Sequence, residues 1–143
     1  MSQTKKNIEA RPLYLEIKTQ GRGALEITQQ VNAIIAKKSD AQLCHVFVTH
    51  TSASLMITGN EDANLLLDIE DYFRANVTDA NPNYRHNNEG DFDMSGHIRS
   101  VLTGESKTIP IIDGKLALGK YQGLFLYEHR AGDNNRKLII TLL

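Results

Sequence analysis

A change of parity in the middle of the chain constrains its fold more than any other feature. From Leu43 to His50 the residues read as a strand, with Cys44, Val46, Val48 and His50 on one face and Leu43, His45, Phe47 and Thr49 on the other. Beyond the bend the apolar positions are Ala53, Leu55 and Ile57, so the buried set passes from even to odd numbers. A strand repeats every two residues, and its buried face changes parity only through a bulge, a sharp bend or a switch of sheet. Bulges and bends of this kind gather beside active sites. This one carries His50-Thr51-Ser52.

The flanking segments fix the fold class. Leu13 to Thr19 alternates as a half-buried strand, Gly21-Arg22-Gly23 turns, and Ala24 to Ile27 forms a short second strand. Thr28 is positioned to cap a helix carrying Val31, Ile34 and Ile35. A second helix of about 14 residues is expected over Ala63 to Asn76, capped by Asn60, with Leu66, Ile69, Tyr72 and Phe73 buried. A third runs from Met94 to Leu102, capped by Asp93 or Ser95, and its stripe of Met94, Ile98, Val101 and Leu102 is expected to face the core. Lys107 to Ile112 and Lys115 to Leu118 flank Asp113-Gly114, a strong hairpin signal, and Gln122 to Arg130 and Lys137 to Leu143 add two strands. Strands mostly follow strands. The expectation is therefore an α+β fold, an antiparallel β-sandwich of about seven or eight strands with three helices. Residues 11–143 form its single domain and residues 1–10 a flexible N-terminal tail.

Charge and cysteine usage narrow the partners. Sixteen basic against 17 acidic residues leave a net charge of -1, which offers no electrostatic case for nucleic acid. The one cysteine, Cys44, sits in an apolar strand and reads as a small hydrophobe. Met1 to Lys6 lacks an apolar signal core, and no run approaches the roughly 20 apolar residues that span a bilayer. A cytoplasmic protein with no membrane partner is expected.

The chemistry is expected in Tyr84 to His97, which crowds His86, Glu89, Asp91, Asp93 and His97 into a segment with little to bury. His97 lies on the apolar stripe of the third helix, one residue from Ile98 and three from Met94, so it is expected to point inward, and an inward imidazole needs a partner. The working reading makes His86 and His97 two ligands of a metal, with His50 as the third. Spacing alone supports it weakly, since these residues match neither HExxH nor paired-cysteine patterns. Each histidine could equally be a hydrogen-bonded structural residue, and Glu89, Asp91 and Asp93 a solvated loop with a helix cap.

The flanking motifs add to that reading. His50-Thr51-Ser52-Ala53, Gly59-Asn60-Glu61-Asp62 with Asp68, His86 with Glu89-Gly90 and His97, Gly114 to Gly119, Gln122-Gly123, and Glu128 with Arg136 follow one another in an order that resembles the YjbQ family. These are small proteins labelled secondary thiamine-phosphate synthases. The resemblance covers nearly the whole chain, with Tyr121 standing where the family usually has Trp. It implies a homotrimer whose histidines matching His50, His86 and His97 form a metal or ligand site. It also implies the joining of a pyrimidine diphosphate to a thiazole phosphate with loss of pyrophosphate.

A three-imidazole site suits Zn²⁺ better than Mg²⁺, which prefers oxygen, and leaves a position open for water or substrate. Glu89 is the first choice for general acid or base, with Glu61 and Glu128 behind it. Thr51, Ser52, Asn60 and Gln122 are expected to hydrogen-bond a polar ligand. The expected function is a metal-associated enzyme acting on a small polar or phosphorylated metabolite. The alternatives are a metal-dependent hydrolase of phosphatase or esterase type and a non-catalytic trimeric ligand-binding protein.

Overall fold

The parity change at the His50 bend is a switch of sheet. The computed structural model describes residues 12–38 and 40–143, so the expected tail lies outside the described residues. The chain runs β1 (Leu13–Gln20), β2 (Gly23–Glu26), α1 (Thr28–Ile35), β3 (Leu43–Val48), β4 (Ala53–Gly59), α2 (Ala63–Asn76), α3 (Asp93–Thr103), β5 (Ser106–Ile112), β6 (Lys115–Leu116), β7 (Gln122–Glu128) and β8 (Asp133–Leu142). A five-stranded sheet has the order β1-β8-β3-β5-β6 and a three-stranded sheet the order β2-β7-β4, so the bend carries the chain from one to the other. All pairings are antiparallel. The molecule is thus an α+β protein with eight antiparallel strands in two sheets and three helices, the class its sequence leads one to expect.

The two sheets enclose one core. Cys44, Val46 and Val48 of β3 and Leu138, Ile140 and Leu142 of β8 meet Ala53 and Leu55 of β4 and Leu124 and Leu126 of β7, with Val31 and Ile35 of α1. Each such aliphatic side chain contributes about 1.5–3 kcal/mol on burial. Burial pushes the Cys44 thiol up to about 11, which leaves it an inert hydrophobe. At the β5–β6 hairpin Asp113 and Gly114 both take positive φ, 53° and 73°, as a two-residue type I′ turn requires. Strand β8 starts four residues before the expected Lys137, because Asp133 to Arg136 still pair with Gln20 to Ile17 of β1.

The helices depart further from expectation. Thr28 does not cap α1; its Oγ1 accepts the N–H of Leu124 at 2.9 Å and pins the helix to β7. Asp62 rather than Asn60 caps α2, accepting the N–H of Asn64 at 2.9 Å. The expected α2 face is only half-buried, and Tyr72 is 63% exposed. On α3 the expected face is reversed. Its buried residues are Asp93, Ser95, Gly96 and Arg99, whereas Val101 and Leu102 are exposed.

The physical reason is a polar layer beneath α2 and α3, on the outer side of the three-stranded sheet. Arg99 Nη1 donates to both oxygens of Glu70 at 2.9 Å, and the Tyr127 hydroxyl donates to the same carboxylate. Ser95 donates to Asp79, which Arg22 grips through both Nη atoms at 2.8 and 2.9 Å. Gly96 lies against His129, where a Cβ would come within 3.4 Å of the His129 Cβ. Polar pairing, and not an apolar stripe, therefore decides which side of α3 faces in.

Candidate metal centre and adjoining cavity

Asp93 opens α3 and His97 follows one turn later, so their side chains share a face. The preceding loop folds back, with the N–H of Ala80 donating to Asp91 O at 2.9 Å, and brings His86 to the same place. His86 Nε2 lies 2.8 Å and His97 Nε2 3.2 Å from one oxygen, Asp93 Oδ2. The two rings stand edge to face with centroids 5.2 Å apart. One ligand atom from each of these three residues falls within a 4.8 Å span, the one grouping of that kind among the described residues.

The second Asp93 oxygen is fixed from outside. Arg130 Nη2 donates to Oδ1 at 2.8 Å and reaches Glu89 Oε2 at 3.4 Å. Burial of Asp93 works to raise its carboxyl pKa, but His97, His86 and Arg130 outweigh it and hold the group below the usual carboxylate range. Two imidazole nitrogens and one carboxylate oxygen fit a borderline-soft divalent ion and leave positions open. The arginine on the far oxygen aims the carboxylate. The Asp93 side chain is 2% exposed and that of His86 48%, so the cluster has a rigid base and an open front.

His50 does not join this group. Its Nε2 accepts the backbone N–H of Lys137 at 2.9 Å. A neutral imidazole has one lone-pair nitrogen, so the proton sits on Nδ1 and no lone pair is left for a metal. Asp93 takes the place expected for it. Instead His50 lines, with Thr51, His97, Ser100, Val101 and Glu105, a cavity of about 540 Å³ between the β3–β4 bend and α3.

The remaining expected site residues divide by position. Glu89 stands at the rim, tied to the cluster by Arg130. Ser52 and Glu128 are buried and structural: Arg136 binds both Glu128 oxygens at 2.7 and 2.5 Å and the Ser52 hydroxyl at 2.9 Å. Glu128 also accepts from Thr19 and from the N–H groups of His129 and Arg130. With that many donors fixed on it, Glu128 is spent as an acid or base. Asn60, Glu61 and Gln122 lie at the opposite end of β4 from the bend, roughly 20 Å away at the rise of a seven-residue strand. There Asn60 donates to Glu26 at 2.9 Å and Gln122 closes a turn onto the N–H of Gly119 at 2.8 Å.

Two roles in the cluster are not read from the sequence, although Asp93 lies in the segment where the chemistry is expected. Asp93 is legible only in hindsight from its i, i+4 relation to His97, because its place ahead of an apolar run suggests a helix cap. Arg130 arrives from just beyond the end of β7, and no local pattern announces it.

Known proteins match nearly the whole chain. The family described as UPF0047 protein YjbQ-like matches residues 13–143. The UPF0047 protein sll1880 of Synechocystis is 42% identical over 127 residues, 88% of this chain and 86% of its own length. The UPF0047 protein YjbQ of Escherichia coli O157:H7 is 35% identical over 130 residues, 90% of this chain and 94% of its own. Among solved structures, the conserved hypothetical protein TT1486 of Thermus thermophilus superposes with a TM-score of 0.84 at 28% identity, covering 92% of this chain and 99% of that one. On sequence and fold alike, the chain belongs to the YjbQ-like UPF0047 family.

Proposed function

We propose that the protein is a metal-dependent enzyme acting on a small polar or phosphorylated metabolite. The observation that carries this reading is the convergence of His86, Asp93 and His97, the last of which also lines a ligand-sized cavity. Those three side chains would hold the ion, Zn²⁺ in preference to Mg²⁺ because two of the donors are nitrogen. When bound, such an ion supplies Lewis acidity toward a phosphoryl or carbonyl oxygen and acidifies bound water. We assign the acceptance or return of a proton to Glu89, 56% exposed and 3.4 Å from Arg130.

Joining a pyrimidine diphosphate to a thiazole phosphate needs cationic groups for the departing diphosphate. The one arginine in the cluster, Arg130, is already engaged by Asp93 and Glu89. The side chains thus support the broader reading, hydrolysis with water as nucleophile included, more than that synthesis. We also read the protein as a cytoplasmic homotrimer, the assembly that the family resemblance implies; Val101 and Leu102 of α3, 81% and 64% exposed, offer an apolar contact for it. No helix among the described residues is long and apolar enough to cross a membrane.

The test is metal analysis of the purified protein beside His86→Ala, Asp93→Ala and His97→Ala. Stoichiometric metal lost in all three, with folding intact, is expected. Metal retained in all three would remove the reading.

A further inference from the structure

One guanidinium ties together the three segments that carry the cluster. Arg22 stands in the Gly21-Arg22-Gly23 turn between β1 and β2, and its side chain is only 11% exposed. Its Nη1 and Nη2 donate to the two oxygens of Asp79 at 2.8 and 2.9 Å, and Nη2 also reaches Ser95 Oγ at 3.3 Å. Its Nε donates to His129 O at 2.9 Å, and its Cζ lies over the Phe92 ring, 4.5 Å from the centroid. Each contact is a short step along the chain from the cluster. Phe92 and Ser95 flank Asp93, His129 precedes Arg130, and Asp79 precedes Ala80, whose N–H donates to Asp91 O and closes the loop that carries His86. The root of the arginine is held as well, since the Gly21 N–H donates to Gly132 O at 2.8 Å.

We infer that Arg22 is a positioning residue of the His86, Asp93 and His97 centre, setting where the start of α3 stands relative to Arg130 and to the loop that carries His86. Its hydrogen bonds go to Asp79, Ser95 and His129 and to none of the three candidate ligands. Arginine is required by shape. Its planar fork spans both Asp79 oxygens while Nε holds a backbone carbonyl, whereas a lysine ammonium is a single point of charge on a flexible stem and cannot keep these partners together. That an ion occupies the centre rests on the metal-enzyme reading. The placing of the three side chains does not, and the two can fail separately.

Arg22→Lys is compared, at full length, with the parent and with Ile140→Val, a core truncation in β8 that weakens the fold away from the cluster. In zinc-free protein, ¹H NMR follows cross-relaxation between the His86 and His97 rings, whose centroids are 5.2 Å apart. Zinc affinity is then measured by chelator competition. Arg22→Lys is expected to lose most of the ring-to-ring signal and to bind zinc about 10–100-fold more weakly, while Ile140→Val keeps both. Ser95→Ala, which removes one hydroxyl and unties α3 from Asp79, is expected to change in the same direction and decides the matter if Arg22→Lys does not fold. Parent-like rings and zinc affinity in the folded variant would overturn the inference, as would equal losses in Ile140→Val. A parent that binds no zinc, with the ring signal lost in Arg22→Lys, would sink the enzyme reading and leave the positioning role standing.

Discussion

Asp93 Oδ2 receives both His86 Nε2 and His97 Nε2, at 2.8 and 3.2 Å, while Arg130 holds the other oxygen at 2.8 Å. The carboxylate is thus the hub and the arginine its brace. Arg130→Ala is expected to keep the ion but weaken its binding about 10–100-fold, the usual cost of losing a group that orients a ligand. Zinc titration against a chromogenic chelator measures it. Affinity unchanged in Arg130→Ala would show that Asp93 needs no brace.

His50→Ala separates the two ways of counting ligands. With Nε2 committed to Lys137, the variant is expected to retain metal at the parent's stoichiometry. It removes one hydrogen bond at a place open to water, at about 0.5–1.5 kcal/mol of stability. Metal content and urea unfolding on one preparation give both numbers. Loss of metal in folded His50→Ala would restore His50 as a ligand.

The two-sheet fold was legible because its signals are local. Alternation in β1 and β3, the Asp113-Gly114 turn and the parity change all act within a few residues, and each survives in the structure. The faces of α2 and α3 were not legible. Apolar spacing points Val101 and Leu102 inward, but Arg99, Ser95 and Asp93 have partners on α2 and in distant loops that no window contains. The same holds for the site. His86 and His97 were marked by their crowded polar segment. Ser52 and Glu128 carry equally functional-looking side chains, and only the fold brings Arg136 between them; Asn60, Glu61 and Gln122 are set apart by the length of β4.

Glu128→Gln tests the structural reading of that buried pair. The Glu128 side chain is 1% and that of Arg136 5% exposed. Removing the negative partner leaves the guanidinium charge uncompensated, a loss of about 3–5 kcal/mol. Chemical denaturation should show it, with metal binding unchanged in the fraction that stays folded. A loss under about 1 kcal/mol would mean water reaches Arg136.

Assembly has its own test. Light scattering is expected to give three times the 16.0 kDa chain mass. Val101→Glu with Leu102→Glu replaces two exposed side chains, so the monomer fold is spared, and the mass should fall toward that of one chain. A parent that scatters as a monomer would contradict the trimer.

His129 gives the clearest pH dependence. It is fully buried, and desolvation, aided by Arg99, Arg22 and Arg136, lowers its pKa from 6.5 to about 3. The folded protein therefore keeps His129 neutral over a range in which the unfolded chain binds a proton. Stability falls as pH drops below 6.5 and levels for this group near pH 3, with a slope approaching one proton, about 1.4 kcal/mol per pH unit. His50, also lowered by burial and by Arg136, adds a contribution of the same sign. Glu128 and Asp79 act at lower pH: burial opposes their ionisation, Arg136 and Arg22 prevail, and the stability they give above the normal carboxylate pKa is lost as acid protonates them. The window between about pH 5 and 6.5 thus belongs chiefly to His129. Urea unfolding across that window, in the parent and in His129→Gln, should show the slope reduced by most of one proton in the variant. An unchanged slope would mean that His129 is protonated in the folded protein and that its neighbours Ser54 and Arg99 are arranged around a charge.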